Sequence, residues 1–324
     1  MHTTAKQIHD HIQSAERIAL VSHQNPDGDT LGSAVAFAQY LLNHGKQVKI
    51  FCLSSVPDKF NFLHNIGLVS NDPFVFRDVD TITVLDCGDL RYAGVAELLK
   101  EHNATIVNID HHATNEKYGR YNLVMDNWAS TTEVVYNFFK INNITITPTM
   151  ATALLTGLIT DTDNFTNSAT SHTSLTAAGQ LLRLGANWLI INRSLLQNKS
   201  IHLLKLWGIV LSRLNKQSDI NMAYTYLTNK DMTEHGANDA DVEGIANFLN
   251  KLNDDSSISL FMKETENGTM KGSFRTTRDD IDVSALAKKL GGGGHKKAAG
   301  FTVDGNVEQI VRRIVDLQKA QTVV

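Results

Sequence analysis

Apolar and polar positions alternate along the first half of the chain in a way that predicts a parallel β-sheet. Short β-branched apolar runs are separated by longer stretches with helical spacing, which is the pattern of βαβ units. We predict buried parallel strands at residues 17–22, 47–51, 81–85 and 105–109. Among the helices between them we expect one at residues 30–43, ended by His44 and Gly45.

Two further features belong to this first region. Residues 130–133, Ser-Thr-Thr-Glu, have the sequence of a capping box at the start of a helix, and we interpret them as structural. A helical block follows at about residues 150–184, and its apolar run is interrupted at Asp161 and Thr162. An acidic group at the end of a buried segment needs a compensating partner, so Asp161 is a candidate for chemistry.

The second half of the chain has a different pattern. Residues 189–214 are mostly helix-forming and end in a polar stretch, residues 215–219, which we interpret as a connector. Beyond it we predict strands at 222–227, 257–263, 268–275 and 300–303, and helices near 242–251, 284–290 and 307–319. The predicted organisation is a first domain at residues 1–187, a helical connector at 188–219 and a smaller α/β domain at 220–324.

Composition and charge narrow the class of protein. The 324 residues, 42% of them hydrophobic, suit a two-domain globular protein, and no stretch approaches the roughly 18 unbroken apolar residues of a membrane span. The polar N-terminus lacks a secretory signal, so we expect a cytoplasmic protein. A net charge of −4 argues against binding long nucleic acid. Cys52 and Cys87 lie in or beside apolar runs, and we expect two buried free thiols without a chemical role.

Acidic and imidazole side chains follow three of the predicted strands. They are His23, Asp27 and Asp29 after the first, Asp86 after the third, and Asp110, His111 and His112 after the fourth. The carboxyl ends of parallel strands meet at one edge of a sheet, where open α/β folds bind ligands. Pro26 fixes one φ angle and Gly28 permits a left-handed one, so a tight turn would aim both neighbouring aspartates at one point.

The five aspartates, with Asp161 included, predict a metal site. Burying a carboxylate without compensation costs several kcal/mol, and separate helix capping by each aspartate explains one or two members of the set but not all. Histidine and carboxylate ligands without cysteine suit Mn²⁺ or a similar divalent ion better than structural zinc. Two ions roughly 3.5–4 Å apart and sharing a carboxylate are the arrangement that supports hydrolysis of phosphate esters.

These motifs, in this order, resemble the DHH phosphoesterase superfamily. The run Gly291 to Gly300 is similar to the glycine-rich motif of the DHHA1 domain, and residues 272–276, Gly-Ser-Phe-Arg-Thr, most resemble the bacterial nanoRNase branch. That branch degrades short oligoribonucleotides to mononucleotides and removes the 3′-phosphate of 3′-phosphoadenosine 5′-phosphate (pAp). The resemblance implies an active site in a cleft between a DHH domain and a DHHA1 domain. Short oligonucleotides and nucleotide phosphates are the substrates it implies.

The resemblance also assigns roles to residues. One ion would be held by His23, Asp27 and Asp86, and the other by Asp29, Asp86, His111 and Asp161, so that Asp86 bridges the two. His112 would face the substrate phosphate, and Asp110 would orient an imidazole. In the second domain the implied substrate contacts are Arg275, His295, Lys296, the backbone of Gly293 and Gly294 and, as a weaker candidate, Arg278.

One segment departs from the family pattern and leaves substrate preference open. Asp161 and Thr162 are followed by Asp163 and Asn164, where many relatives have glycine and, shortly afterwards, a basic residue. An extra acidic side chain would weaken binding of a second phosphate. A phosphodiesterase for cyclic or linear dinucleotides, which would use the same ions and a similar second domain, is an alternative, and a pyrophosphatase is a more distant one. A catalytically inactive nucleotide-binding protein is an alternative of another class, and a homodimer is compatible with the sequence but not required by it.

Overall fold

A parallel six-stranded sheet forms the centre of the first half of the chain, as the sequence predicts. The structure, a computed structural model, describes residues 1–196, 200–237, 242, 245–249 and 256–319. The chain divides into two units, Met1–Asn198 and Lys199–Val324, and each has a sheet of its own. None of the helices in these described ranges is both long enough and apolar enough to cross a membrane.

The strands of the first unit occur where the β-branched runs predict them. They are β1 (Arg17–Val21), β2 (Gln47–Phe51), β3 (Val69–Ser70), β4 (Thr81–Leu85), β5 (Thr105–Asp110) and β6 (Tyr121–Val124). Their order is β3-β2-β1-β4-β5-β6 with every pair parallel, and only the short β3 and β6 are unpredicted. Because the order reverses between β1 and β4, the loops after these two strands enclose a crevice at the carboxyl edge.

Helices cover both faces of this sheet. They are α1 (His2–Ser14), α2 (Gly28–Asn43), α3 (Ala96–Leu99), α4 (Thr131–Ile141), α5 (Pro148–Asp161), α6 (His172–Arg183) and α7 (Trp188–Ile191). Shorter turns occur at Asp58–Phe60, Ile66–Leu68, Pro73–Phe76 and Asn192–Leu196. Helix α2 starts two residues before its predicted start because the Asp27 carboxylate caps it, accepting from the backbone N–H groups of Asp29 and Thr30. The predicted block at 150–184 is two helices, since α5 ends at Asp161.

Helices α2 and α5 pack closely where glycine leaves out a side chain. A Cβ on Gly28 would lie 2.5 Å from Thr160 Oγ1, and a Cβ on Gly32 would lie 2.4 Å from the Ala153 carbonyl oxygen. Gly28 does not have a left-handed conformation, so the prediction that the turn uses one at this position is wrong. Its requirement for glycine comes from its contact with Thr160.

Both cysteines lie in the first unit, and the structure confirms that they are free and buried. Burial raises the pKa of both thiols, that of Cys87 to about 12. The Cys87 thiol also donates a hydrogen bond to the Asp89 carbonyl oxygen at 2.9 Å. Neither group is therefore a thiolate at neutral pH.

The second unit is built on a mixed sheet. Its strands are β7 (Asn215–Gln217), β8 (Met222–Leu227), β9 (Ile258–Glu264), β10 (Met270–Arg275), β11 (Gly293–His295) and β12 (Ala298–Val303), in the order β11-β12-β10-β9-β8-β7. Strands β8 and β9 are parallel and the other neighbours antiparallel. The helices are α8 (Ile201–Ser212), α9 (Asn229–Glu234), α10 (Ile245–Leu249), α11 (Val283–Lys289) and α12 (Val307–Lys319), with a 3-10 turn at Ser218–Ile220. The predicted helix near 242–251 lies partly outside the described residues.

Part of the predicted connector belongs to this second unit. Leu206 and Val210 of α8 share a hydrophobic core with Leu227 and Phe261, and Thr225 Oγ1 donates to the Val210 carbonyl oxygen. Residues 215–217 form an edge strand, β7, that pairs with β8. An exposed edge strand needs no apolar alternation, which is why its polar sequence looks like a linker.

Candidate metal centre

The carboxyl edge of the parallel sheet gathers the predicted ligands. His23 follows β1, Asp27 caps α2, Asp29 is in its first turn, Asp86 follows β4, His111 follows β5 and Asp161 ends α5. Their ligand atoms lie within 4.8 Å of one another in three groups: His23, Asp27 and Asp86; Asp29, His111 and Asp161; and Asp86, His111 and His112. The structure therefore brings together every side chain that the family resemblance assigns to the two ions.

Asp86 is at the centre of this cluster. Its backbone has a φ of +59°, which turns the chain sharply after β4, and its side chain is 2% exposed. Asp86 Oδ2 lies 3.5 Å from His23 Nε2, and Asp86 Oδ1 lies 3.7 Å from His111 Nε2. The two oxygens of one carboxylate thus face the imidazoles of the two predicted ligand sets.

The spacing of these groups suits ligands of a shared cation. His23 Nε2 is 3.8 Å from Asp27 Oδ1, and His111 Nε2 is 3.3 Å from Asp161 Oδ2. Direct hydrogen bonds to nitrogen are shorter, about 2.7–3.2 Å. Two ligand atoms that are each about 2.1 Å from one ion are about 3.0–3.5 Å apart at octahedral or tetrahedral angles and up to about 4.2 Å apart at wider angles. The donor set of imidazole nitrogens and carboxylate oxygens therefore fits divalent metal ions.

The charges in the cluster support the same conclusion. Burial raises the pKa of Asp29 well above its usual range, with the Asp86 charge adding to the effect, and the same two causes raise the pKa of Asp27. Burial, followed by the charges of Asp86 and Asp27, raises the pKa of Asp161 to about 8. Burial also acts to raise the pKa of Asp86, but the surrounding imidazoles outweigh it and hold this pKa below its usual value. These carboxylates need added positive charge to remain ionised together at neutral pH.

The N-terminus of α4 holds Asp29 in place. Thr131 N donates to Asp29 Oδ2 at 2.6 Å, while Thr132 donates to Oδ1 from its backbone N at 2.9 Å and from Oγ1 at 2.7 Å. Thr131 Oγ1 also donates to Asp86 Oδ1 at 2.8 Å. Gly157 of α5 leaves the space, since a Cβ there would lie 2.6 Å from Asp29 Oδ1. The two threonines thus position both carboxylates, with the helix dipole favouring the negative charge.

Thr131 and Thr132 are functional residues that the sequence does not reveal. Their segment reads as a capping box, and only half of that box forms. Ser130 Oγ accepts from Glu133 N at 3.1 Å, whereas the Glu133 carboxylate accepts from Ala129 N at 2.9 Å instead of returning to Ser130. The available sequence signal was the pair of threonines at the start of a helix, where free N–H groups bind anions.

Asp110 and His112 form a second hydrogen-bonded unit beside Asp86. The His112 Nδ1 donates to Asp110 Oδ1 at 2.8 Å, and Asn115 Nδ2 donates to Asp110 Oδ2 at 2.6 Å. The bond to Asp110 raises the pKa of His112 to about 9, so this half-exposed imidazole is cationic at neutral pH. Asn115, which fixes the buried carboxylate, is a further residue absent from the predicted site.

The glycine run of the second unit is mostly a strand. Gly293, Gly294 and His295 form β11, which pairs with β12. A Cβ on Gly294, whose φ is +140°, would lie 2.6 Å from the Ala298 carbonyl oxygen, and one on Gly292 would lie 2.0 Å from that of Gly300. Close strand packing therefore requires Gly292 and Gly294, whereas a Cβ on Gly291 or Gly293 would meet nothing within 4 Å. His295 and Lys296 are exposed.

The two predicted arginines of the second unit differ in their surroundings. Arg275 ends β10, and partial burial lowers the pKa of its guanidinium. Its Nη1 donates to the Phe274 carbonyl oxygen at 2.9 Å. Arg278 is exposed and forms an ion pair with Asp280 at 2.7 Å. Arg278 is therefore already engaged by a neighbouring acid.

Comparison with known families identifies both units. Residues 17–158 match the DHH family, N-terminal domain, and residues 219–320 match the DHHA1 domain. The chain carries a DHH domain and a DHHA1 domain. The DHH match runs from β1 into α5 and contains all the clustered side chains except Asp161, which lies three residues beyond it.

Relatives extend the likeness of the DHH and DHHA1 domains over most of the chain. The bifunctional oligoribonuclease and PAP phosphatase NrnA of Thermus thermophilus is 28% identical over 301 residues, 92% of this chain and 88% of the relative. The NrnA of Bacillus subtilis is 23% identical over 298 residues, 90% and 91% of the two chains. The crystal structure of an exopolyphosphatase-related protein from Bacteroides fragilis has a TM-score of 0.88 at 24% identity, covering 99% of this chain and 98% of that one. These matches confirm the predicted fold class.

Proposed function

We propose that this protein is a metal-dependent phosphoesterase that hydrolyses short oligoribonucleotides to mononucleotides and pAp to AMP. The observation that carries the proposal is the buried Asp86, whose two oxygens face His23 and His111 at 3.5 Å and 3.7 Å. The substrate class is supported by the relatives named as oligoribonuclease and PAP phosphatase, which match about nine-tenths of this chain. These two lines are independent, because one concerns the donor geometry and the other concerns the whole sequence.

In this proposal the DHH domain holds two divalent ions, and we expect Mn²⁺. His23, Asp27 and Asp86 would hold one, and Asp29, Asp86, His111 and Asp161 the other. Oxygen and imidazole donors without a thiolate favour Mn²⁺ over a structural zinc ion. When bound there, the ions would lower the pKa of a water molecule towards neutrality and would supply positive charge for the phosphoryl oxygens.

The protein's own groups have defined tasks. Asp86 faces both proposed ligand sets, while Thr131 and Thr132 hold the Asp29 carboxylate in its orientation and favour its charged form. His112 uses Nδ1 to donate to Asp110, which leaves the proton on Nε2 for a phosphate oxygen of the substrate. The bond to Asp110 favours the protonated imidazole of His112, whose charge would stabilise the negative charge that develops on that oxygen.

We assign the rest of the substrate to the DHHA1 domain. Arg275, His295 and Lys296 would bind its terminal phosphate or base, with the backbone of Gly293 and Gly294 as a further contact and Arg278 as a weaker one because of its pairing with Asp280. Such contacts are remote from the reacting bond. Replacing Arg275 or His295 with glutamine should therefore raise KM roughly tenfold and leave kcat nearly unchanged. Lys271→Gln, on the exposed face of the same strand as Arg275, is the matched control.

The first experiment is a competition between substrates. Purified protein with Mn²⁺ is incubated with pAp, the dinucleotide pApA and a cyclic dinucleotide, and each is followed by chromatography. We expect preferential loss of pAp and pApA with AMP as the product. Preferential loss of the cyclic dinucleotide would be consistent with the proposed metal chemistry but would overturn the proposed substrate. No turnover and no Mn²⁺ affinity would indicate the inactive nucleotide-binding protein.

A cytoplasmic location and a homodimer stay predictions.

A further inference from the structure

Tyr92 is an exposed aromatic side chain in contact with a proposed metal ligand. Its ring centroid lies 5.1 Å from that of His23, with the two planes inclined by 31°. Tyr92 is 45% exposed, while His23 is 5% exposed. Part of the tyrosine ring therefore covers the imidazole, and the remainder is open to solvent beside the metal centre. Metal binding by the proposed ligands makes no use of this exposed surface.

The loop that carries Tyr92 is fixed by its own contacts. Tyr92 N donates to the Asp89 carbonyl oxygen at 3.0 Å, and the Tyr92 carbonyl oxygen accepts from Gln24 N at 3.2 Å. Ala93 and Val95, on either side of a tight turn, are completely buried. The second of these hydrogen bonds joins the loop after β4 to the loop after β1 across the crevice. The position of the ring is therefore part of the folded site.

A second exposed apolar side chain packs against the same loop. Leu53, which follows β2, is 45% exposed, and its Cδ2 would lie 2.7 Å from a Cβ on Gly94, two residues after Tyr92. Tyr92 and Leu53 together are called the apolar platform below. Tyr92 joins the platform to the cluster of proposed metal ligands through its contact with His23. Such a pairing of apolar surface and metal ligands suits a ligand in which a flat, apolar ring is joined to a phosphate.

We propose that the apolar platform stacks a nucleobase next to the phosphate that is hydrolysed. The proposal rests on the proposed function and deepens it, because it restricts the substrates to phosphate esters that carry a base. Bases stack on exposed aromatic rings with little regard to their identity, since each base has a π-face. The platform would therefore favour nucleotides over sugar phosphates without selecting one base.

The test compares variants of Tyr92 on substrates with and without a base. Wild type, Tyr92→Ser and Tyr92→Phe are assayed with Mn²⁺ on pApA and on two versions of it that each lack one of the bases. We expect Tyr92→Ser to raise KM for pApA by roughly tenfold with kcat kept within about twofold. It should leave KM unchanged for the version that lacks the stacked base, and Tyr92→Phe should match wild type. Phe74→Ser, which removes an aromatic side chain that is 65% exposed elsewhere in the DHH domain, should have no effect.

Two outcomes of the kinetic assay would overturn the platform. One is an equal change of KM on all three substrates, and the other is a fall in kcat accompanied by weaker Mn²⁺ binding, which would mean that Tyr92 serves only to cover His23. Binding of AMP and ribose 5-phosphate to metal-free protein, followed by calorimetry, separates this result from failure of the proposed function. Wild type should bind AMP more tightly, and Tyr92→Ser should lose that difference even if no dinucleotide is cleaved. Equal binding of both ligands by wild type would refute the platform.

Discussion

Asp86 of the DHH domain and Asp231 of the DHHA1 domain are both buried carboxylates, but their surroundings differ. Asp231 accepts from both terminal nitrogens of Arg213, at 2.5 Å and 3.0 Å, and from Thr228 N and Oγ1. Burial acts to raise its pKa, but Arg213 and Thr228 outweigh burial and hold it at about 2. Asp86 has instead three imidazoles and several competing carboxylates around it.

Asp231 is a carboxylate that stabilises the fold, whereas the carboxylates around Asp86 have the surroundings of metal ligands. Within the described residues, no lysine or arginine forms an ion pair with Asp27, Asp29, Asp86 or Asp161. The protein's own side chains satisfy Asp231 completely, whereas the cluster around Asp86 collects more negative charge than its imidazoles offset. Excess charge of this kind is what a divalent cation compensates.

The largest expected effect is that of Asp86→Asn. The change removes the carboxylate that faces both ligand sets, so kcat on pApA should fall on the order of a thousandfold or more, with loss of Mn²⁺ binding. Steady-state kinetics and calorimetric Mn²⁺ titration measure the two quantities. The matched control is Asp89→Asn in the same loop, whose carboxylate pairs with Arg91 and should leave kcat within about twofold. Near-normal turnover by Asp86→Asn would show that the Asp86 carboxylate is not needed for metal-dependent hydrolysis.

A smaller effect is expected from Gly157→Ala. The new Cβ would lie 2.4 Å from Thr132 Cγ2 and 2.6 Å from Asp29 Oδ1, so it should displace the clamp on Asp29. We expect Mn²⁺ affinity to fall roughly tenfold and the free energy of unfolding to fall by about 1–3 kcal/mol. Gly179→Ala in α6 has open space around it and should raise the free energy of unfolding by up to about 1 kcal/mol. Equal behaviour of the two variants would show that Asp29 is not held by this contact.

Asp231→Asn should affect stability and leave the metal centre intact. The free energy of unfolding at pH 7 should fall by about 2 kcal/mol, with Mn²⁺ affinity unchanged. Because the folded-state pKa of about 2 is below the unfolded value, this contribution is present above about pH 4 and is lost as the pH falls towards 2. Urea unfolding at several pH values measures the difference between variant and wild type. Asp219→Asn, which breaks an exposed pair with Lys319, should cost less than about 1 kcal/mol.

The smallest effect is expected from Cys87→Ser, next to Asp86. Its thiol has a pKa raised by burial to about 12 and donates to the Asp89 carbonyl oxygen, so it offers no thiolate to a metal. The Mn²⁺ affinity of Cys87→Ser should remain within about twofold of wild type. In folded wild type, the Cys87 thiol should react slowly with iodoacetamide at pH 8. A large loss of metal would place sulfur among the ligands and favour zinc.

The strand-end positions of the ligands were predictable because they depend only on strand order. Once residues 17–21, 81–85 and 105–110 are parallel neighbours, the side chains that follow them share an edge. The role of Thr131 and Thr132 was not predictable in this way, because it depends on packing between α4 and a carboxylate about a hundred residues earlier.

The prediction for Gly28 failed for a related reason. The sequence shows that Gly28 and the glycine run lack side chains, but it does not show what occupies that space. At Gly28 the space is filled by Thr160, and at Gly292 and Gly294 by the neighbouring strand β12. Glycine for close packing and glycine for an open loop have the same sequence, and only the tertiary contacts distinguish them.

The dispersal of the ligands along the chain affects how the protein is made. The clustered side chains extend from His23 to Asp161 and come from separate loops and helices, so no short segment holds a complete set. A ribosome must therefore synthesise about half of the 324 residues, and the DHH sheet must close around β1 and β4, before the ligand cluster exists. Acquisition of metal is thus a late step in the biogenesis of the DHH domain, and it reports that the domain has folded.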